Sequence, residues 1–231
     1  TDGAELHRLL LCSFPEGGPR ERPALPVTAA DGVVYVPSAF GALFAVDAAT
    51  RSLRWAHRYG DGPPMSLDTN TGRMVQTTTL PSGGGSDASL WLEAPPVVVG
   101  GTVVLAPVGG NDLLAFSATD GAFRWSTPCP GGSYVLAADV RRVWVGGRRL
   151  TCLSLQDGRV LWTADIKEIP TGRAALCGDR VLVPTAESLL AFDAGDGKLL
   201  GRSSIPSQQM PLGNLVCDGA ALFSYEPSSV R

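Results

Sequence analysis

Asp31-Gly32-Val33-Val34-Tyr35-Val36-Pro37, then Leu43-Phe44-Ala45-Val46-Asp47, then Leu53-Arg54-Trp55, form a phrase that returns about every forty residues along this chain. The first run ends at Pro37, Pro107, Gly146, Pro184 and Ser224, in steps of 70, 39, 38 and 40 residues. A turn of the type Asp-x-x-Asp/Thr-Gly follows, at Asp47–Arg51, Ser117–Gly121, Ser154–Gly158 and Asp193–Gly197. Four residues past each turn stand Trp55, Trp125, Trp162 and, in the fourth copy, Gly201. Self-similarity at a fixed period determines architecture, because each copy is one supersecondary unit that buries its apolar faces on its neighbours.

Within a copy, runs of Val, Leu and aromatic residues alternate with Gly, Asp and Pro. That is the pattern of short strands and tight turns, and no stretch of helical periodicity competes with it. Asp and Gly suit turns that need left-handed backbone or a side chain bonded to its own main chain. Four short strands fit a repeat of about forty residues, the size of a propeller blade. Radial stacking buries both faces of such a sheet, in keeping with a hydrophobic content of 44%.

The expected fold is therefore all-β, a β-propeller of four-stranded blades. Residues 1–231 form one segment worth about five blades, with landmarks at 31–55, 101–125, 139–162 and 178–201. Partial copies lie at 1–7 and 218–231, and an insertion at 60–94. Thr1-Asp2-Gly3-Ala4 matches Thr119-Asp120-Gly121-Ala122, so the chain reads as part of a larger, seven- or eight-bladed propeller. Remaining blades, or a partner, would cover the open faces. Inside the insertion, Asp68-Thr69-Asn70-Thr71-Gly72 repeats the turn motif and predicts an extra hairpin. Ser82-Gly83-Gly84-Gly85-Ser86 reads as a flexible linker.

Val34-Tyr35-Val36, Gly41-Ala42-Leu43-Phe44-Ala45-Val46-Asp47-Ala48-Ala49-Thr50 and Trp55 resemble the PQQ-like repeat. This is the blade of quinoprotein dehydrogenases and of their non-enzymatic relatives, and the resemblance extends over nearly the whole chain outside the insertion. Those relatives include the scaffold lipoprotein of the bacterial outer-membrane barrel assembly machinery and sensor domains attached to kinases. The resemblance implies a bacterial protein in the periplasm, at the outer membrane or outside the cell. It does not choose a function, because the shared residues are the ones that build the blade.

Trp55, Trp125 and Trp162 occupy one column, as expected of large rings packing blade to blade. The five cysteines are Cys12, Cys129, Cys152, Cys177 and Cys217, with no Cys-x-x-Cys pair and no histidine at zinc-ligand spacing. Cys177 and Cys217 fall in a column held elsewhere by Ala30, Val99 and Ala138. Stacked sheets lie about 10 Å apart and a disulfide spans Cα atoms up to about 7 Å apart, so both thiols are expected to be reduced. His7 and His57 fall on outer strands with no nucleophile or carboxylate set around them. The Asp68 stretch lacks the closing Glu of a calcium loop. No catalytic residue and no metal ligand is predicted.

A net charge of −3, with basic residues scattered except for Arg141-Arg142 and Arg148-Arg149, gives no basic stripe for nucleic acid. No apolar run reaches the roughly 18 residues of a membrane span. With strands A to D running outward from the axis, B–C turns and D–A links share one end of the blades. Variable segments gather there, bearing Phe40, Asn111, Asp112, Arg148, Arg149 and Glu187. The insertion, with its apolar Leu90-Trp91-Leu92, joins them on a D–A link. Loops on a rigid scaffold are where binding resides. The expected function is a non-catalytic protein-binding or scaffold module that holds a protein or peptide and needs no cofactor. The alternatives are part of a PQQ- and calcium-dependent dehydrogenase, with Asn111, Asp112 and Glu187 as ligand candidates, and a sensor domain fused to a signalling protein.

Overall fold

The apolar runs form strands throughout the computed structural model. It describes residues 8–11, 25–38, 41–59, 65–68, 73–76, 95–107, 112–129, 132–205, 212–219, 221–226 and 229–230. Four sheets are four-stranded antiparallel meanders. The first is β1 (Thr28–Ala30), β2 (Val33–Ser38), β3 (Ala42–Asp47) and β4 (Leu53–Arg58). A hairpin of β5 (Met65–Asp68) and β6 (Arg73–Gln76) follows, at the turn the sequence predicts in the insertion. The second sheet is β7 (Val97–Val99), β8 (Thr102–Leu105), β9 (Asp112–Ser117) and β10 (Phe123–Pro128). The third is β11 (Gly132–Ala138), β12 (Arg142–Gly147), β13 (Arg149–Ser154) and β14 (Val160–Asp165). The fourth is β15 (Ala175–Cys177), β16 (Arg180–Pro184), β17 (Ser188–Asp193) and β18 (Leu199–Ser204). A three-stranded fifth sheet holds β19 (Asn214–Cys217), β20 (Leu222–Glu226) and β21 (Ser229–Val230).

The repeated turns work as their chemistry requires. Asp47 Oδ1 accepts from the amides of Ala49 and Thr50, and Asp193 Oδ1 from those of Gly195 and Asp196. The closing residue is left-handed at Gly121 (φ 72°), Gly158 (φ 71°) and Gly197 (φ 76°), and at Arg51 (φ 58°) in the first copy.

Two compact units divide the chain, Thr1–Thr78 and Thr79–Arg231. In the first, Val33, Tyr35, Leu43 and Ala45 are buried, and the Tyr35 and Trp55 rings lie 6.0 Å apart between centroids. In the second, the first strands β7, β11, β15 and β19 touch in succession, whereas the outer strands β10, β14 and β18 do not touch one another. The sheets thus converge along one line and fan outward, as propeller blades do. Between the second and third sheets, Val104, Ala115 and Trp125 pack with Val143, Val145 and Leu155. Between the third and fourth, Trp144, Leu150 and Cys152 pack with Val181, Val183 and Phe192. The third sheet is buried on both faces, and the all-β propeller architecture stands.

Two members of the tryptophan column, Trp125 and Trp162, pack sheet to sheet, but not alike. Trp125 Nε1 donates to the Leu155 carbonyl at 2.9 Å, and its ring lies on Gly158, where a Cβ would come within 2.6 Å. Trp162 lies in the same way on Gly197, where a Cβ would meet the ring at 2.5 Å. The acceptor that matches Leu155 in the next copy is the Ala194 carbonyl, and Trp144 Nε1 already donates to it at 2.9 Å. Trp162 Nε1 is buried with no hydrogen-bond partner. Gly201 leaves open space where the fourth ring would stand.

One expectation is overturned. Cys177 and Cys217 form a disulfide, with Cα atoms 5.7 Å apart. The sheet-stacking distance of about 10 Å applies to facing sheets. These cysteines end β15 and β19, first strands that meet where the sheets converge. The fifth sheet also reaches β20 by a turn two residues longer, so Glu226, not Ser224, takes the register of Pro184. Cys129 and Cys152 are unpaired and buried. Burial pushes the Cys152 thiol up to about 12 and raises that of Cys129. Cys12 and His7 lie outside the described residues.

Candidate partner-binding face

Because each sheet is an antiparallel meander, its turn between second and third strands and its link to the next sheet lie at the same end. Asp112 opens β9 at that end, exposed, and accepts from Ser126 Oγ at 3.5 Å. Arg148 is exposed in the turn from β12 to β13, and Arg149 Nε donates to Asp165 Oδ1 at 2.7 Å. Glu187 lies in the turn from β16 to β17, 3.8 Å from the Arg202 guanidinium. Successive sheets of the second unit therefore bring Asp112, Arg148, Arg149 and Glu187 to the same end. Phe40, Asn111, Leu90, Trp91 and Leu92 lie outside the described residues.

At the same end the structure builds a polar knot that no sequence motif marked. Glu168, in the link from β14 to β15, accepts from Thr185 Oγ1 at 2.6 Å and from Ser188 Oγ at 2.9 Å. Arg202 Nη1 lies 3.2 Å from its other oxygen. Thr185 and Ser188 are buried, Pro170 bridges Thr185, and the Thr171 amide donates to the Pro184 carbonyl at 3.0 Å. The link is thereby held down on the turn, with Ile169 left 74% exposed beside it. Glu168 has no partner close in sequence. The available signal was Thr185 and Ser188, two hydroxyls three apart at a turn.

Hydrogen bonds from Thr185 first, then Ser188, with the Arg202 charge, hold the Glu168 carboxyl below its ordinary value. A carboxylate lowered in the folded state adds stability that is present above the unfolded value and lost as the pH falls through the folded one. The melting-temperature gap between the protein and Glu168→Gln should therefore hold steady above pH 4.5 and close below it. A gap that widened on acidification would show the opposite linkage.

A second feature lies at the convergence line. Val97, Tyr134, Leu136, Arg173, Asn214 and Val216, from or beside the four first strands of the second unit, line a cavity of about 270 Å³. The Arg173 guanidinium sits 5.4 Å from the Tyr134 ring centroid. Burial pushes the Tyr134 phenol up to about 12, and its oxygen accepts the Ala174 amide at 2.8 Å. Neither Asp112 nor Glu187 lines this cavity.

A family profile described as outer membrane protein assembly factor BamB, built of PQQ-like repeats, matches residues 65–215, more than half of the chain. The chain belongs to this family. Among solved structures, BamB from Moraxella catarrhalis is similar in fold, with a TM-score of 0.57 at 20% identity over 85% of this chain and 53% of that one. This chain thus spans about half the length of that BamB protein. A quinohemoprotein alcohol dehydrogenase from Pseudomonas putida HK5 aligns with a TM-score of 0.44 at 15% identity, over 78% of this chain and 34% of that one. No curated protein matches the chain. Among the described residues of this BamB-family chain, no helix is long and apolar enough to cross a membrane.

Proposed function

We propose that this chain is a non-catalytic propeller module that holds a protein partner outside the cytoplasm, in the assembly of outer-membrane proteins. The partner sits on the end that carries Arg148, Arg149, Ile169 and Glu187. The observation that carries this reading is the Glu168 knot. It fixes an exposed isoleucine among charged side chains on a rigid support, an arrangement of apolar anchor and polar surround suited to a protein interface. Family membership supports the same reading. So do the described carboxylates with resolved shifts, Asp47, Asp120, Asp157, Glu168 and Asp196, which all move downward. That is the direction of capped and paired groups, whereas a general acid at neutral pH needs a raised value. The disulfide between blades favours an oxidising compartment.

The dehydrogenase reading asks for calcium and PQQ at the convergence line. Among the described residues, the cavity there is lined by one cation, an amide, a phenol and apolar groups, without a carboxylate. That donor set does not fit calcium, a hard cation that takes several oxygen ligands including carboxylates. No cofactor is proposed.

A photo-crosslinking residue at Ile169 tests the binding face, with one at Asp157 on the opposite end as control. In cell-envelope extracts of the host, protein adducts are expected from position 169 and not from 157. Adducts from both positions alike, from 157 alone, or from neither would overturn the assignment.

A further inference from the structure

We propose that the Cys177–Cys217 bond is a redox-sensitive clasp that keeps the fifth sheet, and with it one wall of the inner cavity, on the fourth.

Geometry supports the clasp from three sides. First, the two cysteines close adjacent first strands one repeat apart, separated by 40 residues, so a single bond ties sheet to sheet across the full length of a copy. Second, this junction lacks the lock used at the other two. Trp125 covers Gly158 and Trp162 covers Gly197, whereas the outer strand of the fourth sheet has Gly201, with open space at its Cβ. Third, the hydrogen bonds described between the fifth sheet and the fourth all engage β19 or the residues just before it. Among the described residues these are Leu215 N to Arg173 O at 2.9 Å, Arg173 N to Asn214 Oδ1 at 2.9 Å and Thr171 Oγ1 to Leu212 O at 2.6 Å, with Gly172 packed on the Gly213 backbone. Asn214, Leu215 and Val216, all of β19, form one wall of the cavity.

The chemistry is selective. Cys177 and Cys217 are only partly buried, whereas Cys129 and Cys152 lie in the cores with thiols raised by burial. A thiolate is the species that attacks a disulfide, so core thiols do not compete. For a dithiol reductant, one thiolate attacks a sulfur of the bond and forms a mixed disulfide. The reductant's second thiol then displaces it. Two cysteine thiols are released and the reductant leaves as its own disulfide, with two electrons and two protons transferred.

The full chain carrying Cys12→Ser tests this, since that change removes the cysteine outside the described residues. Oxidised protein is alkylated, reduced with dithiothreitol, alkylated again with a heavy label and mapped by mass spectrometry. Cys177 and Cys217 should carry the heavy label. Finding both with the first label would overturn the bond. Amide hydrogen exchange then reads the clasp: on reduction, exchange in residues 214–217 and 222–225 should rise by about tenfold or more, with residues 181–183 and 190–192 unchanged. The Cys177→Ser/Cys217→Ser variant should show the fast exchange without reductant and no response to it. Unchanged exchange on reduction, or a rise spread evenly over both sheets, would overturn the clasp.

Discussion

Trp125→Ala is expected to lose about 3–5 kcal/mol of stability in urea unfolding, the range for emptying a buried large aromatic site. The ring fills the junction between the second and third sheets, and its N–H satisfies the Leu155 carbonyl. The sharper comparison is with its counterpart one copy on. Trp125→Phe removes a donor from a buried acceptor and should cost about 1–2 kcal/mol, whereas Trp162→Phe removes an N–H that has no acceptor and should fall within about 0.5 kcal/mol of the parent. Equal losses for the two phenylalanine variants would mean that the Ala194 carbonyl serves both rings.

Gly158→Ala is expected to cost about 2–5 kcal/mol, from two sources that can be separated. Left-handed backbone at a non-glycine residue costs about 1–2 kcal/mol, and overpacking adds about 1–3 kcal/mol. The new Cβ would lie 2.6 Å from both Trp125 Cε3 and Thr127 Oγ1. Gly101 isolates the first source, since its φ is +68° with nothing within 4 Å of a Cβ. Gly101→Ala should therefore cost only the conformational part. In a double-mutant cycle, Gly158→Ala should cost no more than Gly101→Ala once Trp125 and Thr127 are both alanine, because both groups its Cβ strikes are gone. Full additivity would place the clash elsewhere.

Much of this architecture was legible because it recurs. The runs at Val33 and Leu43, the Asp47 and Asp193 turns and the tryptophan column each appear in several copies, so local chemistry and period agree. The added hairpin was legible for the same reason, as Asp68–Gly72 reuses the turn. What escaped was non-recurrent. Trp144 stands in a column shared with Tyr35 and Leu182 and looks like ordinary core until its N–H is seen to take the Ala194 carbonyl. The Cys177–Cys217 pairing is not legible in the repeat, because the spacing of facing sheets does not hold along their whole length and converging first strands lie closer. At the candidate face, Arg148, Arg149, Asp112 and Glu187 followed from strand polarity alone. Glu168 did not, since it meets Thr185, Ser188 and Arg202 only once the link folds down over the turn.

Gly201 gives the array a grammar. Gly158 and Gly197 are receivers, glycines left bare so that a ring from the preceding copy can lie on them; Trp125 and Trp162 are the donors. The third copy both receives and gives. The fourth receives and gives nothing. Backbones of nearly the same shape are therefore not interchangeable words: the order of the copies is written into which of them offers a ring and which only accepts one.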